Sequence, residues 1–137
     1  MTTDVVAKAV STVRAFWHSL SVRDWKGARA LLHDAATMHW VTSGEHYDDA
    51  DAIIRVQVLY PEGWVLRVLN VDALADGRVH SVVEVRQDGQ RYYANSRFCL
   101  EGGRIRQITE HWATWEAPPA WRSAQRLGAY HRDEETA

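Results

Sequence analysis

The feature that most constrains this chain is a change in hydrophobic period at Trp64. Before that point, apolar residues recur at three- and four-residue spacings. Val6, Val10, Val13, Trp17 and Leu20 form one such stripe and predict a helix over 4–21, with Thr3 or Asp4 as its N-cap. A second short helix is expected from Asp24, with Trp25, Ala28, Leu31 and Leu32 on one side. A short strand over Thr37–Val41 follows, and Gly44 marks a loop. Asp48 or Asp49 then caps a third helix through Ile53, Ile54 and Val58, which Pro61 and Gly63 stop.

From Trp64 onward the period is two. Trp64, Leu66 and Val68 alternate with more exposed positions, and Val79, Ser81, Val83 and Val85 alternate with His80, Val82, Glu84 and Arg86. Asp88-Gly89 is the strongest hairpin signal, because both central positions of such a turn favour positive φ. The next strand, 91–100, puts Tyr92, Ala94, Ser96, Phe98 and Leu100 on one face and Tyr93, Asn95, Arg97 and Cys99 on the other. Glu101-Gly102-Gly103 turns into a last strand over Ile105–Trp115, ended by Pro118-Pro119. A terminal helix is expected within 120–130, and 131–137 reads as a frayed tail. Helices first and hairpin-linked strands second argue for an α+β fold, with helices against one face of a curved sheet. The whole of 1–137 reads as one domain.

Composition removes several function classes. The formal net charge of −2 and the scattered arginines force no basic face, so nucleic acid is not an expected partner. Cys99 is the single cysteine, which leaves no intramolecular disulfide and no thiol cluster for zinc. The first residues lack the pattern of a secretory signal and no apolar run would span a bilayer, so the expectation is a cytoplasmic protein without a membrane partner. Seven tryptophans are many for 137 residues and point to a thick core, an aromatic-lined cavity or a subunit interface. Nucleotide loops and a Gly-x-Ser-x-Gly nucleophile elbow are absent from the sequence, and no cofactor is expected.

Phe16-Trp17, Asp24-Trp25-Lys26-Gly27-Ala28 and the run His33–Trp40 resemble the amino-terminal part of SnoaL-like proteins of the nuclear transport factor 2-like superfamily. Gly102-Gly103-Arg104-Ile105 and Glu110-His111-Trp112 resemble their last hairpin. Tyr60-Pro61-Glu62-Gly63-Trp64 and Pro119-Ala120-Trp121-Arg122 resemble a bacterial subgroup of that family. The resemblance implies a cone whose sheet wraps a pocket closed by helices, and a homodimer. It does not carry over the family's best-known chemistries. Where ketosteroid isomerases have a catalytic carboxylate, the matching residue is Trp40, and their oxyanion tyrosine matches Phe16. Their second oxyanion acid matches Ser96 or Phe98. The Asp-Arg-Asp set of limonene epoxide hydrolases is also missing, since Asn95 and Cys99 flank Arg97.

By the resemblance and by apolarity, the pocket-facing set is Met38, Trp40, Val79, Ser81, Val83, Val85, Ala94, Ser96, Phe98, Ile108, Glu110 and Trp112. Glu110 alone among them is ionisable. An acid held among aromatics loses hydration, so its pKa rises and it becomes a candidate acid or base near neutral pH. The alternative is a structural role, paired with an arginine or histidine or with a backbone NH. Trp17, Met38, Trp40, Ser81, Ser96, Phe98, Ile108 and Trp112 are the expected ligand contacts, for an apolar, aromatic or polycyclic molecule. Trp17, Trp40, Trp64 and Trp112 either cage that ligand or pack the core. No metal site is expected: His39 and His111 have the opposite parity to Trp40 and Glu110, and no His-x-x-x-His spacing exists. On the other face, Glu84 with Tyr93 and Arg97 would suit a polar dimer interface or a solvated surface. Trp121 and Arg122 are expected to reach a partner or cap the cone. Two functions thus stand: a dimeric small-molecule pocket protein with Glu110-assisted turnover, or a non-catalytic binding or interaction module whose cone is filled by its own side chains.

Overall fold

The computed structural model describes residues 3–133. Helix α1 runs Thr3–Ser21, α2 Trp25–Ala30 and α3 Ala50–Leu59, with a last short helix α4 at Ala120–Ala124. The strands are β1 Leu32–Trp40, β2 Glu45–Tyr47, β3 Val65–Ala73, β4 Val79–Gln87, β5 Gln90–Glu101 and β6 Arg104–Thr114. They form one curved sheet in the order β2-β1-β6-β5-β4-β3, antiparallel except for β1 against β6. This is the expected α+β architecture. The parallel β1–β6 pair and strand β2 are not anticipated by the sequence reading.

Helix α1 is amphipathic because Val13, Phe16, Trp17 and Leu20 lie on one face, and that face is buried against the sheet. Thr3 is already helical, so Asp4 sits in the first turn, where its charge complements the helix dipole, rather than at the cap. Asp24 caps α2 by accepting from Gly27 N at 2.9 Å. A side chain at Gly27 would clash with that carboxylate, its Cβ falling against Asp24 Oδ2. The expectation that Leu31 and Leu32 extend α2 is incorrect. Leu31 O accepts from Ile105 N at 2.9 Å, which draws the chain out of the helix and into pairing with β6. Asp49, rather than Asp48, caps α3, accepting from Ala52 N at 2.7 Å.

The hairpins follow the turn chemistry. Asp88 and Gly89 both have positive φ, 51° and 76°, as do Gly102 and Gly103 at 58° and 78°. A bulge between Val68 and Asn70 corrects a parity conflict in β3. Val68 lies opposite Val83, and after the extra residue Val71, not Asn70, turns inward opposite Ser81. The terminal helix is five residues rather than eleven, and Arg126 (φ 50°) and Gly128 (φ 76°) turn the chain beyond it. Trp121 is 58% exposed, so it closes nothing in this chain. Residues 131–133 belong to no helix or strand and are exposed, and the rest of the expected frayed tail, 134–137, lies outside the described residues. Among the described residues no helix is long and apolar enough to cross a membrane.

Candidate functional site

The concave face of the sheet carries one row of side chains that runs across five strands. Val71, Ser81, Ser96, Glu110 and Trp40 are successive register partners on β3, β4, β5, β6 and β1. Strand alternation puts the polar members of this row beneath the helices, where each must find a partner. Trp17 on α1 donates its Nε1–H to Ser81 Oγ at 3.0 Å. Ser96 Oγ donates to Glu110 Oε1 at 2.8 Å, and Trp40 Nε1–H donates to Glu110 Oε2 at 2.6 Å.

Glu110 is only 3% exposed. Burial pushes its pKa above the ordinary carboxyl value, and hydrogen bonds from Ser96, Trp40 and Trp112 oppose that rise without cancelling it. No cation neutralises it: among the described residues it takes part in none of the ion pairs. Glu110 is therefore a desolvated carboxyl held by neutral donors.

A narrow cavity of about 60 Å³ opens above it. Its floor is Met38, Trp40, Ile108, Glu110 and Trp112 of β1 and β6, and α1 contributes Phe16, Trp17 and Leu20. Gln57 of α3, Tyr60 at its C-cap, Trp64 before β3, Leu66 of β3, and Val85, Gln87 and Tyr92 of the β4–β5 hairpin complete the lining. Trp40 and Trp112 meet edge to face at 6.2 Å, and Tyr47 packs edge-on against Trp40 at 5.0 Å. Burial and a hydrogen bond to Glu45 push the Tyr47 phenol up to about 12.

Five of the eight expected ligand contacts line this cavity: Trp17, Met38, Trp40, Ile108 and Trp112. Ser81, Ser96 and Phe98 do not, because α1 fills the deep end of the cone. Phe98 is fully buried between Phe16 and Trp17, with ring centroids at 6.3 and 6.2 Å, and Trp17 covers Ser81. Ser96 is fully buried and serves as a donor to Glu110. Gln57, Tyr60 and Gln87 escaped the sequence reading, and Tyr92 stands on the expected inward strand face without being among the expected ligand contacts. They come from a helix end and a hairpin tip, where periodicity identifies an element but not what it overhangs.

Trp64 differs from the other cavity tryptophans. It is 5% exposed and its Nε1–H is buried without a hydrogen-bond partner, the one such side-chain N or O among the described residues. The Arg23 guanidinium carbon lies 3.2 Å from the centroid of its ring. Arg23 is fixed there by Glu62, at 2.9 and 3.0 Å, and by Trp64 O, at 2.7 Å.

The convex face corrects a second expectation. Glu84 is not a solvated carboxylate. It is 6% exposed beneath Arg67, Arg86 and Arg91, at 3.8, 2.9 and 4.0 Å. Tyr93 is its register partner as expected, but Arg97 lies opposite His80, too far along the strand to pair with it. His39 and His46 stack at 4.0 Å across the β1–β2 pair.

No protein-family model and no curated protein matches the sequence. Solved structures do match. A provisionally named ketosteroid isomerase from Kribbella flavida superposes with a TM-score of 0.78 at 21% identity, over 94% of this chain and 92% of that one. An NTF-2 like protein of unknown function from Burkholderia xenovorans gives 0.76 at 17% identity, over 91% and 97%. A provisionally named polyketide cyclase from Xanthomonas campestris gives 0.63 at 18% identity, over 78% and 91%. The chain has the nuclear transport factor 2-like fold. On this nuclear transport factor 2-like cone, the positions that the resemblance aligned with isomerase acids and phenols hold Phe16, Trp40, Ser96 and Phe98. Among the described residues its one cavity carboxyl, Glu110, stands opposite Trp40 on the neighbouring strand.

Proposed function

We propose that the cavity binds a small, flat, apolar molecule and that Glu110 exchanges a proton with it. The observation that carries this reading is the buried carboxyl at the floor of an aromatic cavity. A neutral Glu110 can accept from Trp40 through one oxygen and share its proton with Ser96 through the other. An ionised Glu110 accepts from both. Both protonation states thus keep their hydrogen bonds in place, as acid–base work requires, and burial moves the pKa toward neutrality. The names of two neighbours, ketosteroid isomerase and polyketide cyclase, support a small-molecule ligand.

A thermal-shift screen of flat apolar metabolites tests binding, since a ligand that favours the native state raises its melting temperature. Once a substrate is found, Glu110→Gln should lower turnover by about 10²-fold or more. Affinity should move much less. A variant with a lower melting temperature and nearly intact turnover would make the acid structural.

A second reading is a non-catalytic module with a self-filled cone. It is favoured by the cavity volume of about 60 Å³, room for roughly two waters, and by the engagement of both Glu110 oxygens. Under that reading no compound in the screen raises the melting temperature. Either reading includes a homodimer through the convex face bearing Tyr93, Asn95 and Arg97. A monomer by light scattering at high concentration would exclude that assembly.

A further inference from the structure

At the hairpin end of the convex face, one register row runs Val65, Arg86 and Arg91 across β3, β4 and β5. Trp115 follows β6 beside Arg91, its backbone N–H donating to Arg91 O at 2.8 Å. These residues line an open groove of about 830 Å³, while their strand neighbours Leu66, Val85 and Tyr92 line the Glu110 cavity on the other face. Like charges directly opposite one another destabilise a sheet, and Arg86 faces Arg91. Glu84 relieves only part of this. It accepts from Arg86 Nε at 2.9 Å but stands 4.0 Å from Arg91 and 3.8 Å from Arg67, beyond hydrogen-bond length. Asp88 and Glu116 also line the groove, yet both are exposed and neither pairs with Arg86 or Arg91. Arg91 is mostly buried and held over the Trp115 ring at 5.0 Å, where Arg132 also lies at 5.0 Å. Its guanidinium donates no hydrogen bond among the described residues. Its nitrogens are still accessible, because Trp64 Nε1 is the one sealed side-chain N or O without a partner among those residues.

We propose that this groove is a second ligand site, for a small molecule with one carboxylate and an apolar body. The carboxylate relieves the Arg86–Arg91 repulsion and takes two parallel N–H donors from Arg91, the fork that a guanidinium offers and an ammonium does not. The rim acids Asp88 and Glu116 repel a doubly charged phosphate more than a singly charged carboxylate. Trp115 and the exposed Val65 give the apolar body a surface at either end of the row. The site stands independently of the reading of the Glu110 cavity.

The probes are phenylacetate and phenylacetamide, which share a shape and differ by one charge. Calorimetry at low salt gives the affinities, and ¹⁵N-labelled wild-type protein reports the tryptophan indole N–H and arginine Nε–H resonances. Trp115→Phe and Arg91→Lys identify two of these by their disappearance. Phenylacetate should bind wild type about tenfold more tightly than phenylacetamide, the scale of a charge-assisted hydrogen-bonded contact. It should move the Trp115 and Arg91 resonances and leave those of Trp40 and Trp112 in place. Arg91→Lys keeps the charge and loses the fork, so it should bind phenylacetate about tenfold less tightly than wild type does. The comparison of acid with amide needs no variant to fold. Equal affinities for the two probes, or no binding of either, would overturn the groove site. A response confined to Trp40 and Trp112 would also overturn it and would assign the binding to the Glu110 cavity instead.

Discussion

Glu84 and Glu110 are two glutamates buried to nearly the same degree on opposite faces of one sheet, and their surroundings differ completely. Glu84 lies under three arginines from three strands, whereas Glu110 meets only indoles, a hydroxyl and aromatic walls. The convex face buries a charge by supplying counter-charges whose guanidinium heads stay partly in water. The concave face buries a carboxyl by raising its pKa and supplying neutral donors. The first arrangement holds an anion in place. The second leaves a proton available.

The largest expected effect comes from breaking the convex partner. Glu84→Ala leaves Arg86 and Arg91 facing each other without an anion and should cost about 3 kcal/mol in urea unfolding. Glu110→Gln should stay within about 1 kcal/mol, because the amide keeps the shape of the acid and can hold the hydrogen bonds to Ser96 and Trp40. Equal losses for the two variants would erase the distinction.

Next in size is the removal of a donor to Glu110. Trp40→Phe deletes the 2.6 Å bond and should cost about 1–2 kcal/mol. Since that bond opposes the burial effect, its loss should raise the Glu110 pKa further, and Ser96→Ala should shift it the same way. Carboxyl ¹³C titration reads the change directly, and a downward shift would reverse the assignment of these donors.

A shallower effect is the pH dependence of stability. Burial raises the Glu110 pKa above its ordinary 4.5, so the native state binds this proton more tightly than the unfolded chain. The resulting stabilisation is complete below the unfolded value and is lost as pH rises through the folded one. Glu110→Gln should therefore gain stability relative to wild type as pH is raised above 4.5 in parallel urea titrations. A constant difference across that range would mean that Glu110 is not perturbed.

The smallest effect belongs to Arg67. Its side chain is 70% exposed and 3.8 Å from Glu84, so solvent screens the pair. Arg67→Ala should change stability by no more than about 0.5 kcal/mol, and 1 M salt should remove the difference. A larger loss would show that Arg67 also shields Glu84 from water through its aliphatic stem.

Much of the scaffold was legible along the chain because it follows from local chemistry. The period change at Trp64, the caps at Asp24 and Asp49, and the glycine turns at 88–89 and 102–103 depend on residues a few positions apart. Elements whose limits are set by distant partners were not legible. Leu31 leaves its helix for a bond to Ile105, and β1 runs parallel to a strand some seventy residues later. Glu110 was legible as an inward acid because alternation alone orients it between Ile108 and Trp112. The loss of Ser81, Ser96 and Phe98 from the cavity wall was not, because it follows from the depth to which α1 packs.

The two glutamates divide what sequence and tertiary structure each determine. Strand alternation determines from sequence alone that Glu84 and Val83 face opposite ways, and that Glu110 shares a face with Ile108 and Trp112. It does not determine what covers either face. Arg67, Arg86 and Arg91 reach Glu84 from β3, β4 and β5, Trp40 and Ser96 reach Glu110 from β1 and β5, and Trp64 reaches the cavity from the segment before β3. Those side chains are scattered along the chain, and only closing the sheet into a cone sets their distances. The tertiary structure alone therefore decides that one glutamate is held by charge, that burial raises the pKa of the other, and that the Trp64 N–H is left without a partner.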